Sequence, residues 1–164
     1  MEEDERVKRV SKLIEEGRLD DALKLTDVSD IGRLFNLGAA LERKGEHEKA
    51  EKVFTRITEL DPGFVEAWYN KGVVLGRLGR YEEALECYTK TLELNPGHME
   101  AWYNKGVALS HLGRYEEALE CFDKALEIDS NKTEAFNGKA VAYLRMNMYG
   151  EALECFDKII NLDP

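Results

Sequence analysis

The chain has 164 residues, 43% of them hydrophobic and 34% charged, so it carries enough apolar surface for a real core and is not disordered for want of one. A net charge of −10 and an isoelectric point near 4.9 argue against nucleic acid as the main partner, because phosphate binding needs clustered Lys and Arg. No stretch approaches the roughly 18 apolar residues of a membrane helix. The charged start, MEEDERVKR, has no apolar signal-peptide core, and three cysteines cannot all pair within one chain, so a reducing cytoplasm is the expected compartment.

Residues 1–30 read as a shortened helical hairpin. Gly17-Arg18-Leu19-Asp20-Asp21-Ala22-Leu23 mirrors Gly79-Arg80-Tyr81-Glu82-Glu83-Ala84-Leu85 at an offset of 62 instead of two full periods of 34, so six residues are missing before the next element. A polar, abbreviated hairpin suits the end of a stacked array, where one face meets water.

From residue 31 a gapless 34-residue register divides the chain into 31–64, 65–98, 99–132 and 133–164. Laid over each other, 65–98 and 99–132 agree at 22 of 34 positions. The register aligns Leu34, Trp68, Trp102 and Phe136, then Gly38, Gly72, Gly106 and Ala140, then Ala50, Ala84, Ala118 and Ala152. Each unit predicts two amphipathic helices: Trp68, Gly72 and Leu75 recur at helical spacing in one, and Tyr81, Ala84, Leu85, Tyr88 and Leu92 in the other. Gly79 predicts a left-handed helix stop between them. Pro62, Pro96 and Pro164 close the second helices, and Asp129-Ser130-Asn131 offers capping chemistry where the third proline is lacking. The small residues are expected to let paired helices approach while Trp68 and Tyr88 fill the adjacent space. At the far end, Tyr149, Phe156, Ile159 and Ile160 predict an uncovered apolar patch, as expected of a piece of a longer protein or of an end that stacks on another copy.

The period, the W-x-x-x-G spacing, the later A-x-x-x-F/Y and the closing D/N-P resemble the tetratricopeptide repeat over residues 31–164. The departures are Lys71, Lys105 and Lys139 where the family usually has the leucine seen at Leu37, and Leu41, Leu75 and Leu109 where it usually has the tyrosine seen at Tyr143. The lysines are expected to lay their stems on the helix surface. The RNA-binding pentatricopeptide repeat fits less well. The resemblance implies an all-α, right-handed superhelical solenoid of antiparallel helix hairpins, with the first helix of each hairpin lining a concave groove that binds a protein or peptide.

Residues one period apart form ladders on that side. The first is Asn36, Asn70 and Asn104, broken by Gly138; an amide can donate to and accept from a peptide backbone, though solvation or helix bonding explains it equally. The second is Phe35, Tyr69, Tyr103 and Asn137, read as half packing and half contact surface. Val73, Val107 and Val141, with Ala39, form an apolar floor. It is flanked by Glu66, Glu100 and Glu134 on one side and by Arg43, Arg77, His111 and Arg145 on the other, rows that are most often solvated helix faces. The lysine–asparagine–arginine clamp by which some members bind acidic chaperone tails is missing outside the asparagine column. Cys87, Cys121 and Cys155 form a further column, too widely spaced for a metal or disulfide and expected to be apolar filler. No nucleophile, phosphate loop or converging acid–base set is present, so catalytic and metal residues and cofactors are expected to be none. The expected role is an interaction scaffold; the alternatives are a self-assembly element or the recruiting domain of a larger protein.

Overall fold

The computed structural model describes residues 3–162; Pro164, expected to close the last hairpin, lies outside them. The chain divides into two compact units, one running through Leu78 and the other starting at Gly79. The first contains α1 (Glu3–Glu15), α2 (Leu19–Lys24), a 3-10 turn (Val28–Asp30), α3 (Ile31–Arg43), α4 (His47–Leu60) and α5 (Val65–Arg77). The second contains α6 (Tyr81–Leu94), α7 (Met99–His111), α8 (Tyr115–Ile128), α9 (Thr133–Arg145) and α10 (Tyr149–Leu162).

Local chemistry sets both kinds of turn. Gly17, Gly45, Gly79 and Gly113 all have φ between 73° and 76°, the left-handed conformation that ends a helix at no steric cost. In the last hairpin Asn147 takes that place at φ 60°, a conformation asparagine tolerates better than most residues. The chain then reverses through bonds such as Arg114 N–H to Leu109 O at 2.9 Å and Met148 N–H to Tyr143 O at 2.9 Å. At the other turns, Asp61, Asn95 and Asp129 each accept the backbone N–H two residues on, at 3.0–3.1 Å. Asp129 therefore caps its own turn, and Lys132, the residue before α9, makes no side-chain cap to that helix.

The tryptophan column does less space-filling than its size suggests. Trp68 and Trp102 are half-buried, and their indole N–H groups donate to Pro62 O and Pro96 O at 2.9 Å, tying each helix to the turn before it. Lys71 and Lys105 lie over these rings at 5.6 and 5.7 Å, so the lysine stems do follow the surface and their ammonium groups meet an aromatic face.

Aromatic residues of the second helices fill the interior: Tyr88 is 3% exposed, as expected of it, and two phenylalanines do the same work. In the first unit Phe54 is fully buried, within a core of Leu34, Val53, Ile57 and Val74. In the second, Phe122 is 1% exposed, among Leu109, Ala118, Ala125 and Ala135. A β-carbon on Gly38 would stand 2.8 Å from the Phe54 ring, and one on Gly106 or Gly138 would stand 2.7 or 2.6 Å from Phe122. Glycine there is a packing requirement, which is why helices on both sides can close on one ring. Cys87, Cys121 and Cys155 are buried and, among the described residues, form no disulfide, matching the filler expected of them.

The amino-terminal segment folds as two helices of unequal length. Its second helix, α2, has six residues, against fourteen in α4. Val10, Leu13 and Ala22 form a small core of their own. The joint to α3 is polar: Asp27 and Asp30 form a reciprocal capping box, and Arg6 clamps both carboxylates together with Leu25 O.

Candidate functional site

In the second unit the first helices of two hairpins, α7 and α9, flank a cavity of about 500 Å³ floored by α8. Tyr103, Val107, Ser110 and His111 come from α7, Asn137, Gly138, Val141 and Arg145 from α9, and Tyr115 and Phe122 from α8. Helical spacing puts the α7 residues on one face at i, i+4, i+7 and i+8. Close approach over Phe122, permitted by Gly106 and Gly138, brings the two walls together.

Of the ladder residues expected in a groove, the cavity gathers Tyr103, Val107 and His111. Tyr103 packs on Phe122 with ring centroids 5.9 Å apart, and burial, with a contribution from Glu134, pushes its hydroxyl pKa up. His111 is exposed and stacks on Tyr81 at 4.4 Å with the rings 3° from parallel. Asn104 is half-buried on α7 outside the cavity wall, and Glu100 is exposed in the first turn of that helix, 3.5 Å from His98 Nδ1. Asn137, Val141 and Arg145 continue columns visible in the sequence. Ser110, Tyr115 and Phe122 were not singled out for the groove; Tyr115 and Phe122 belong to the second-helix pattern, and nothing in one hairpin's sequence signals that they reach the next.

In the first unit the corresponding residues lie on α3 and α5. Phe35 is half-buried in an aromatic group with Phe54 at 6.0 Å and Phe64 at 5.4 Å, so most of its ring is packing. Asn36 is exposed on α3; Tyr69, Asn70 and Val73 are half-buried on α5 and Glu66 is exposed there. The Asn70 amide donates to Glu66 O in its own helix at 2.7 Å, which commits one donor that a peptide would use. Arg77 crosses from α5 to α3 and pairs with Glu42 at 2.9 Å. The basic row is thus tied into the protein at Arg77.

A second cavity in the Gly79–Pro164 unit, about 690 Å³, lies between α6 and α8 over Trp102, Lys105 and Leu109. Its walls carry ion pairs such as Arg114–Glu117 at 2.6 Å. Cys121 borders it, and burial pushes this thiol up to about 11, so it is a poor nucleophile. Among the described residues no three His, Cys, Asp or Glu converge as a metal site, and no helix is long and apolar enough to cross a membrane.

The family profile described as Tetratricopeptide repeat matches residues 35–86 and 69–133, and a second profile of the same description matches 133–164. The chain belongs to the tetratricopeptide repeat family. Its fold is the all-helical tetratricopeptide type, and such repeats are typically protein-interaction modules without catalysis. No curated protein matches the sequence. Among solved structures, MamA 41-end from Desulfovibrio magneticus RS-1 is 23% identical with a TM-score of 0.80, over 98% of this chain and 94% of that one, a likeness of fold. MamA AMB-1 is 28% identical with a TM-score of 0.74, covering 96% and 89%. YrrB, described as a TPR protein with an unusual peptide-binding site, is 25% identical with a TM-score of 0.77, covering 97% and 85%.

Proposed function

We propose that this repeat protein is a scaffold that binds an extended segment of a partner along the outward faces of its first helices. On this reading the hairpins 31–64, 65–98, 99–132 and 133–164 are the rungs and 1–30 the cap. Asn36, Asn70, Asn104, Phe35, Tyr69, Tyr103, Val73, Val107, Arg77, His111, Glu66 and Glu100 belong to the binding face. The observation that carries the reading is the cavity between α7 and α9, whose apolar floor and polar rim are the mixture that peptide sites use. The peptide-binding site named for YrrB supports it by kinship.

A displayed library of random peptides selected on the full chain tests it. Val141 is 41% exposed at the cavity, so Val141→Asp changes the site without emptying the core. Enriched peptides should lose binding to V141D while the helical signal and melting temperature hold. Peptides that bind both proteins equally well would count against the groove.

Self-association is the second reading, favoured by one observation. Tyr149, Leu153 and Ile160, at 61, 63 and 64% exposure, form a stripe along α10. The expected patch is thus present at Tyr149 and Ile160, with Leu153 added, while Phe156 and Ile159 are half-buried. Sedimentation velocity of the chain and of L153E/I160E decides this; a monomer at every concentration removes the reading.

A further inference from the structure

Within that cavity one charge has no counterpart. Its lining contains Arg145 and no carboxylate, in a chain whose net charge is −10. Arg145 is exposed in the last turn of α9, and among the described residues its guanidinium has no ion pair or hydrogen bond. The first unit has already solved the same problem internally. Arg77 holds the corresponding position and pairs with Glu42, 35 residues earlier. Counting 35 back from Arg145 reaches Ser110, which also lines the cavity and donates its hydroxyl proton to Gly106 O at 3.0 Å. Where the first unit supplies a carboxylate, the second has an open cavity and a short hydroxyl.

The nearby acid does not fill the gap. Glu134 stands in the first turn of α9, eleven residues from Arg145, or about 16 Å along the helix, and pairs with Lys132 at 3.4 Å. Next to Arg145 on the same face is Val141, one turn away, about 6 Å. In an extended strand, side chains two residues apart point the same way and stand about 6.6 Å apart. The two spacings match.

We infer that the cavity takes an acidic side chain of an extended partner segment at Arg145, with an apolar side chain two residues away against Val141, Val107 and Phe122. This rests on the groove reading above and adds its ligand chemistry. Arginine binds a carboxylate through two parallel N–H donors, so glutamine in place of glutamate should cost about tenfold in affinity.

The test uses the full chain and pools of short peptides with capped ends, Leu-x-Glu or Glu-x-Leu at the centre and random flanks. These compete with pools carrying Gln or Lys in place of Glu, and with a Gln pool whose carboxyl end is free. The native chain should retain the Glu pool about tenfold over the capped Gln pool. Arg145→Gln should equalise them, and so should Ser110→Glu, which restores the pairing made by Glu42. Arg145→Glu should turn the preference to Lys. A Glu preference that survives both R145Q and S110E overturns the inference, as does capture of the free-ended Gln pool in place of Glu, or no capture of any pool. Equal retention of Glu and Gln, abolished by V141D, overturns the inference and leaves the groove reading standing. Equal retention untouched by V141D removes both.

Discussion

Gly138→Ala separates helix propensity from packing, because the two predict opposite signs. Position 138 lies inside α9, where replacing glycine by alanine ordinarily stabilises by about 0.5–1 kcal/mol. The new methyl would stand 2.6 Å from Phe122 Cζ and 2.7 Å from Cε1. The ring has no free space to retreat into, since the side chain is 1% exposed and packed among Leu109, Ala118, Ala125 and Ala135. Overpacking of this kind costs about 1–3 kcal/mol, so the net loss should be about 1–2 kcal/mol. At this chain length each kcal/mol lowers the melting temperature by about 2–4 °C. Gly150→Ala on α10 is the control: nothing lies within 4 Å of its β-carbon, so it should gain up to about 1 kcal/mol. Urea unfolding followed by both far-ultraviolet circular dichroism and tryptophan fluorescence measures each change and checks that the two signals coincide. In a Phe122→Leu background the clash is gone and Gly138→Ala should turn stabilising, a coupling read from the double-mutant cycle. If G138A matches G150A, or costs the same with leucine at 122, the packing argument is wrong.

Arg6→Ala should release α1, because it leaves the Asp30 carboxylate, whose side chain is 4% exposed, with only the longer contact to Arg33 at 3.6 Å; a local loss of about 1–3 kcal/mol should appear as faster amide exchange in residues 3–15. The alkaline limb should steepen through buried acids: Cys121 is raised to about 11, and Cys155 and Tyr103 are raised too, all by burial first. Groups whose folded pKa is raised hold their protons in the native state, so this stability is complete below the ordinary thiol range, about 8.5, and is lost as pH climbs through about 11. C121A should flatten that decline in unfolding titrations, and alkylation of native Cys121 at pH 8 should be far slower than in urea. Arg77→Ala should shift stability by less than about 1 kcal/mol, since its pair with Glu42 is largely exposed on the arginine side; a larger loss in urea unfolding would mean that the pair braces α3 against α5.

The helices were legible because their signals are local. Glycine at 17, 45, 79 and 113 meets a left-handed requirement that any reader of the sequence can recognise, and each helix starts where the apolar spacing begins. Asn147 was harder, since asparagine is a weaker marker of the same conformation. The first segment carries a short α2, but the polar joint that ties it to α3, the Arg6 clamp on Asp27 and Asp30, joins residues more than twenty apart and has no periodic signature. The tryptophans misled by size. Their columns read as interior filling, and the structure gives that work to Phe54 and Phe122, because an indole N–H bonded to a turn carbonyl must stay near the surface.

The candidate site was legible as columns and illegible as chemistry, for a reason that the column itself contains. A ladder assumes that equal positions have equal roles, yet each role depends on what the preceding hairpin presents. Lys139 pairs with Asp123, while the same position relative to Lys105 holds Thr89, and Lys105 is left over a tryptophan face. Arg77 is closed by Glu42, while Arg145 shares a cavity lining with Ser110 and no carboxylate. The asparagine ladder stops at Gly138 because any β-carbon there would strike Phe122. Repetition therefore specifies the scaffold, and the proposed site lies where the repetition fails. In this chain the failures converge between α7 and α9, where an unpaired arginine, a short hydroxyl and an obligatory glycine meet around one cavity.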